Sequence, residues 1–198
     1  MYVHFALTAL IFKHGRISCL KEGERMLLKG KKVIVLAGEM YEDLELWYPY
    51  YRLREEGAEV LLMGTSSSPD VVKSKHGYPA EIDKRGGELK ADDFDAVVVP
   101  GGYGPDHLRR CEKVVGFVKD MNGKGKLIAA ICHAGWVLIS ADVLRGKKGT
   151  SFYAIKDDMV NAGLEWVDKE VVVDSNLITS RKPADLPAFM RAIIAQLK

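Results

Sequence analysis

Short apolar runs alternate along the chain with longer segments whose apolar residues recur at helical spacing. Four runs are dominated by Val, Ile, Leu and Ala, and they span residues 32–38, 59–64, 95–100 and 126–132. Runs of this length and composition predict buried strands. Strands that are apolar on both faces and separated by helices are typical of a parallel sheet covered on both sides. The pattern therefore predicts a doubly wound α/β fold.

Helical spacing of apolar residues predicts the helices between and after these strands. The expected helices lie at 42–57, 112–121, 135–144 and from about residue 183 to the end. Pro49 falls inside the first of them and is expected to kink or break it. A small hairpin and three short strands are expected at 71–82, Trp166, 171–173 and Ile178.

The first 30 residues follow neither pattern, and we expect an N-terminal extension ahead of one domain at 31–198. Lys21, Glu22 and Gly23 can be encoded by a bacterial-type ribosome-binding sequence at a suitable distance before Met26. Met26 is therefore expected to be the natural start. Residues 1–25 would then be a translated leader that packs poorly.

Charge and hydropathy narrow the classes of partner. The 198 residues carry a net charge of +2, with 47% hydrophobic and 28% charged residues, which is ordinary globular usage. Without a Lys/Arg-rich run, neither nucleic acid nor an anionic membrane is an expected partner. The sequence contains no run of 18 apolar residues, so no membrane-spanning helix is predicted.

Cysteine usage indicates a reducing compartment. The chain has three cysteines, Cys19, Cys111 and Cys132, and no C-x-x-C pair, so neither a disulfide framework nor a zinc ribbon is expected. We therefore expect a cytoplasmic protein that uses no metal and no cofactor. His107 and Cys111 have a spacing that could hold a metal, but without further ligands nearby they are interpreted as a solvated helix face. Only four Asn and Gln residues occur, a hint of a thermophile.

Candidate chemistry lies where strands end, because ligands of open parallel sheets bind at the carboxyl edge. Cys132 stands between an apolar strand and a helix, where backbone N–H groups and the helix dipole favour thiolate. It is the candidate nucleophile, with a pKa expected below that of a free thiol. His133 is a candidate base. Gly101 and Gly102 could supply half of an oxyanion hole, and the N–H of His133 the other half.

Each of these residues also has an ordinary structural interpretation. Cys132 could be a buried structural cysteine, His133 a solvent-facing residue at a helix start, and the glycine pair only a turn. Glu42 could simply complement the helix dipole. If its carboxyl faces Cys132 instead, we expect Glu42 to be protonated and to donate to the thiolate, since two close anions raise one another's pKa.

Several motifs in order resemble the intracellular protease I (PfpI) branch of the DJ/PfpI superfamily, over about residue 31 to the C-terminus. The similar segments are Tyr41 to Leu46, Lys75 to Tyr78, Val99 to Gly102, Ala130 to His133, Leu138 to Ala141, Leu144 to Gly146, Ile155 to Met159 and Ser180 to Leu186. The resemblance implies a flavodoxin-like α/β sandwich with the cysteine on a nucleophile elbow. A tyrosine common in the family is replaced here by Phe152, with Tyr153 beside it.

The resemblance also implies roles for individual residues. Cys132 corresponds to the nucleophile, His133 to its partner, Glu42 to the carboxyl beside the sulfur, and Gly102 with His133 to the oxyanion donors. The third member of the triad would be Asp106, supplied by a neighbouring subunit, where some relatives have Glu. The family implies a homo-oligomer: a dimer, or a hexamer built as a trimer of dimers.

Three functions remain open. The first is a cysteine hydrolase acting on peptides, with Cys132 attacking a carbonyl. The second is a glyoxalase or deglycase that acts on 2-oxoaldehydes or glycated adducts, which also begins with thiolate addition to a carbonyl. The third is a non-enzymatic stress protein in which Cys132 is oxidised to a sulfinate held by Glu42. The sequence alone does not choose the substrate.

Overall fold

A seven-stranded sheet is the centre of the fold, seen in a computed structural model that describes residues 26–198. The strands of the protein are β1 Lys32–Leu36, β2 Glu59–Gly64, β3 Val71–Lys73, β4 Pro79–Glu81, β5 Lys84–Arg85, β6 Ala96–Val99, β7 Leu127–Ile131, β8 Lys148–Gly149, β9 Glu165–Trp166, β10 Val171–Asp174 and β11 Leu177–Ser180. The central sheet has the order β10-β11-β7-β6-β1-β2-β5, and all neighbours in it pair in parallel except β10 and β11. Small sheets are formed by β3 with β4 and by β8 with β9.

Helices cover both faces of this sheet. They are α1 Asp43–Glu55, α2 Gly104–Arg109, α3 Glu112–Gly123, α4 Gly135–Ser140, α5 Lys156–Asn161 and α6 Leu186–Leu197. Alternate residues of β1 enter different cores: Val33 packs on the side of α1 and α6, and Ile34 on the side of α3 and α4. A strand buried on both faces has no polar side, which is why the sequence shows an uninterrupted apolar run.

The predicted doubly wound α/β class and the four buried strands are confirmed. Two details differ. Pro49 does not break the first helix, because α1 is continuous through it and buries Leu46 and Leu53 on either side. The helix after β7 ends at Ser140 rather than 144, because the chain turns at Asp142, whose φ is 53°.

Residues just ahead of position 31 contact the domain. Leu28 is fully buried, and its backbone N–H donates to the carbonyl of Glu56 at 2.8 Å. The expected division of the chain at residue 31 stays a prediction, but Leu28 contributes to the core from the extension side of it. The sequence missed this because a single leucine in a turn carries no periodicity. The expected leader, 1–25, lies outside the described residues.

None of the helices within 26–198 has the length and apolar character needed to cross a membrane.

Replacing Leu28 with Ala is expected to lower the free energy of unfolding by about 2–5 kcal/mol, because it leaves a cavity in the core. Urea denaturation measures the loss. Leu44→Ala is the matched control, since Leu44 is 57% exposed on α1 and its truncation should cost much less. Equal effects of both substitutions would show that Leu28 is not part of the core.

Candidate active site

Cys132 lies on a sharp turn at the carboxyl edge of the sheet. It follows β7 directly, has a φ of 63° and is 8% exposed. A positive φ is uncommon for a residue with a side chain and is retained where the surrounding structure enforces it. The strand, the turn and the start of α4 together hold the sulfur at the end of the sheet. This geometry matches the elbow expected from the sequence.

Gly101 occupies a space that no side chain could share. A Cβ built there would lie 2.6 Å from Glu45 Oε2 and 2.7 Å from Cys132 Cβ. Its backbone N–H donates to Glu45 Oε2 at 2.8 Å. Gly102 has a φ of 75°, which favours glycine, and the backbone N–H groups of Gly102 and His133 act to lower the pKa of the Cys132 thiol. Their expected role as oxyanion donors stays a prediction.

The imidazole of His133 contacts the sulfur. Its Nδ1 lies 3.3 Å from Cys132 Sγ, and Trp136 and Phe152 flank the ring. Burial lowers the pKa of His133, so the ring is neutral near pH 7. Among residues 26–198, its other ring nitrogen has no hydrogen-bond partner. Residues 26–198 of one chain thus supply a histidine at the sulfur but no acid behind it.

The carboxyl beside the sulfur belongs to Glu45, not to Glu42. Glu45 is fully buried in the first turn of α1, and its Oε2 and the Cβ of Cys132 both lie within 2.7 Å of the point where a Cβ of Gly101 would stand. Its Oε1 has no hydrogen-bond partner among the described residues. The position expected for Glu42 is therefore occupied by the acid three residues later.

Glu42 has a different place because it is the N-cap of α1. Its Oε2 accepts the backbone N–H of Glu45 at 2.8 Å, and its Oε1 lies 3.5 Å from Lys75 Nζ. The sequence signal that could have distinguished the two acids is a Glu-x-x-Glu pair at a helix start. The first acid of such a pair caps the free N–H groups, and the second lies inside the helix. Glu45 shares the buried face of Leu46, Pro49 and Leu53, which identifies it as the inward acid.

Burial and a neighbouring negative charge raise the pKa values of both Glu45 and Cys132. Burial, and then the charge of Glu42, raise the pKa of Glu45 to about 7. Burial, and then the charge of Glu45, raise the pKa of Cys132 to about 12, against the two backbone donors. The expected low pKa of Cys132 is therefore wrong for this site, because the neighbouring carboxylate opposes a second charge. Between these two pKa values the pair holds one proton, which rests mainly on the sulfur beside a Glu45 carboxylate.

Asp106 does not reach His133 within one chain. It lies in α2, where its carboxylate is 3.7 Å from the Arg110 guanidinium, and it makes no hydrogen bond to His133 in the described part of the chain. Whether a second subunit brings it to the imidazole is a question of assembly. Its expected role stays a prediction.

The second free thiol in residues 26–198 is Cys111, the N-cap of α3. The backbone N–H of Ser66 donates to its sulfur at 3.4 Å, and hydrogen bonds to this sulfur lower the pKa of Cys111. The nearby His107 ring contacts Arg110 rather than the sulfur. No group of three or more metal-ligating side chains occurs within the part of the chain described.

Comparison with known proteins identifies the family. The family model for the DJ-1/PfpI family matches residues 31–196. This chain belongs to the DJ-1/PfpI family. The resemblance drawn from the sequence motifs is thus confirmed, and so is the flavodoxin-like α/β fold that it implied.

The alignments with named relatives cover nearly the whole length of those relatives. The deglycase PfpI of Pyrococcus furiosus is 48% identical over 167 residues, 84% of this chain and 99% of that protein. The protein/nucleic acid deglycase 2 of Escherichia coli is 42% identical over 168 residues, again 84% of this chain and 98% of that protein. Among solved structures, Drosophila melanogaster DJ-1beta superposes with a TM-score of 0.79 at 33% identity, covering 84% of this chain and 90% of that one.

Glu45→Gln is expected to lower the pKa of Cys132, because it removes the negative charge that opposes the thiolate while keeping a hydrogen-bonding side chain. The rate of iodoacetamide labelling of the Cys132 peptide across pH, followed by mass spectrometry, measures the midpoint. Glu42→Gln is the matched control and should move this midpoint less. A midpoint unchanged or raised in Glu45→Gln would contradict the assignment of Glu45.

Proposed function

We propose that this protein is a cysteine-dependent deglycase-type enzyme that acts on 2-oxoaldehydes and on their adducts with amines or thiols. The observation that carries this proposal is the placement of the fully buried Glu45 carboxyl beside Cys132, where Glu45 Oε2 and Cys132 Cβ both lie within 2.7 Å of one point at Gly101. Burial, and then the charge of Glu42, raise the pKa of this acid to about 7. An acid of this pKa can both give and accept protons near neutral pH. Chemistry that moves protons within one adduct needs such a group.

The reaction begins when the Cys132 thiol passes its proton to the Glu45 carboxylate, which leaves Cys132 as a thiolate. For an amine adduct of a 2-oxoaldehyde, the sulfur bonds to the carbinol carbon, the carbon–nitrogen bond breaks, and the amine leaves with a proton from Glu45. A free 2-oxoaldehyde gives the same hemithioacetal by direct addition. The N–H groups of Gly102 and His133 stabilise the developing oxyanion.

Proton transfer then completes the conversion. A base at the site, either the Glu45 carboxylate or neutral His133, removes the proton from the sulfur-bearing carbon and returns it to the neighbouring carbonyl carbon. In the same conversion the hydroxyl proton on the sulfur-bearing carbon passes to the oxygen of that carbonyl, so the first oxygen becomes the thioester carbonyl and the second becomes the 2-hydroxyl group. The product is a 2-hydroxyacyl thioester on Cys132. Water adds to this thioester, the carbon–sulfur bond breaks, and the 2-hydroxy acid leaves. One water is consumed, and no external oxidant or reductant is needed.

Peptide hydrolysis is the second candidate, because the 3.3 Å contact between His133 and the sulfur suits a cysteine peptidase. That reaction requires the imidazole to protonate a leaving amine while an acid orients it. Residues 26–198 of one chain supply no such acid to His133, so the peptidase would require a homo-oligomer in which Asp106 comes from a neighbouring subunit. The names of the Pyrococcus and Escherichia relatives also favour the deglycase.

Cys132→Ser is expected to abolish, by at least about a hundredfold, lactate formation from the methylglyoxal adduct of N-acetyl-lysine, because it removes the nucleophile. The assay uses a buffer without free amine, since an amine would itself react with methylglyoxal. Cys111→Ser is the matched control and should retain activity.

Casein, incubated in parallel, separates the two reactions. Cleavage of casein without lactate formation, lost in Cys132→Ser, would replace the deglycase by the peptidase. If neither substrate reacts and peroxide adds two oxygens to Cys132, the site acts as a redox sensor.

The role of Asp106 in casein cleavage is tested by mixing Cys132→Ala subunits with Asp106→Ala subunits, each of which is expected to be inactive as a peptidase on its own. In a two-fold dimer that shares its sites, each mixed dimer contains one intact site. Random mixing makes half of the dimers mixed, so we expect roughly a quarter of wild-type activity. Mixed oligomers as inactive as each parent would show that Asp106 does not act across the interface.

A further inference from the structure

The His133 imidazole lies between two aromatic rings. The Phe152 ring centroid is 5.0 Å away with the planes tilted by 32°, and the Trp136 ring centroid is 5.2 Å away in an edge arrangement at 62°. Contacts of this geometry are favourable between aromatic rings. The two rings come from different elements: Trp136 from α4, and Phe152 from the segment between β8 and α5.

Both rings are themselves fixed. The Trp136 indole N–H donates to Asp158 Oδ2 at 3.0 Å. The backbone N–H of Phe152 donates to the carbonyl of Cys132 at 3.2 Å, and its ring packs against the core on the side of α1 and α6. The segment that carries Phe152 is therefore tied directly to the turn that carries the sulfur.

A catalytic histidine usually owes its orientation to an acid or a carbonyl on its second nitrogen. Within residues 26–198, the contacts that orient His133 are the sulfur on one side and the two rings on the others. We propose that Phe152 and Trp136 are positioning residues that hold the His133 ring with Nδ1 against the Cys132 sulfur. This extends the proposed function, because it gives His133 a fixed geometry at the reacting sulfur.

The same rings keep water from the imidazole. The ionisable groups around it are the Cys132 thiol with Glu45 behind it, the Tyr153 hydroxyl next to Phe152, and Asp158 bound to Trp136. Burial rather than any of these charges lowers the pKa of His133. Removing the Phe152 ring should therefore let water reach the imidazole and raise its pKa.

The experiment measures the His133 pKa directly, by NMR titration of histidine ring protons, with His133→Gln to assign the signal. Phe152→Ala should raise the pKa toward the free value of about 6.5. Phe152→Tyr should keep it near the wild-type value, because the ring is restored. Tyr51→Ala is the matched control: Tyr51 is exposed on α1 and stacks on Trp47, so the His133 titration should not change.

Kinetics on the methylglyoxal adduct give the second readout. In Phe152→Ala we expect kcat to fall on the order of tenfold to a hundredfold with KM little changed, since a displaced base slows the reaction more than it weakens binding. The acid limb of the kcat/KM profile should move to higher pH by the same amount as the His133 titration, because the base must be neutral. Phe152→Tyr should restore kcat.

An unchanged His133 pKa in folded Phe152→Ala, or a Tyr variant that behaves like the Ala variant, would overturn the positioning role. If Phe152→Ala does not fold, Phe152→Leu keeps the apolar volume without the flat ring and should give a smaller shift in the same direction. If the wild-type protein turns over no adduct, the proposed function fails while the NMR titration still decides whether the rings hold His133.

Discussion

The hydrogen bond from the Gly101 backbone to Glu45 is the contact on which the site depends. It joins the first turn of α1 to the chain just after β6, in a space so close to Cys132 that a Cβ would lie 2.7 Å from the cysteine Cβ. Three segments meet there without any side chain between them. Because the glycine leaves room, the buried acid and the sulfur can approach each other. The reactivity of the thiol is therefore set by backbone packing as much as by side-chain identity.

Glu42 and Glu45 are two buried carboxyls one helical turn apart that repel each other when both are charged, and the fold gives them different hydrogen-bond partners. Glu42 caps α1 and has Lys75 within 3.5 Å, so its charge is compensated. Glu45 has a backbone donor on one oxygen and no nitrogen or oxygen partner in residues 26–198 on the other. The charge of Glu42 then makes protonation of Glu45 easier. Glu42, which caps the helix, thus also contributes to the raised pKa of Glu45.

Much of the fold could be predicted from the sequence, because strands buried on both faces, such as β6 and β7, appear in it as uninterrupted apolar runs. Cys132 and His133 were found for the same reason, since the end of such a strand marks the carboxyl edge of the sheet. The choice between Glu42 and Glu45 needed the exact start of α1, and helix boundaries are weakly encoded. Leu28 was missed because its burial depends on contacts with a distant helix end.

The positions of Phe152 and Trp136 around His133 could not be predicted either. These residues come from segments that are separate in sequence and meet only in the folded chain. No local spacing rule links them to the histidine. The pKa of Cys132 was misjudged for a related reason, because the helix start favours thiolate but the nearby acid and the burial, both tertiary effects, oppose it more strongly.

The contrast between the two described thiols has a consequence for how this protein meets electrophiles in its surroundings. At the Cys111 helix cap, hydrogen bonds outweigh the effect of burial and lower the pKa of the thiol, whereas burial and then the charge of Glu45 raise the pKa of the Cys132 thiol. Cys111 is thus the thiol that ionises more easily, and Cys132 is the thiol placed for acyl chemistry. A small electrophile that needs no binding site would react with Cys111, while a ligand that fits the backbone donors at the elbow would react with Cys132. Chemical labelling alone therefore ranks these thiols by acidity and not by function.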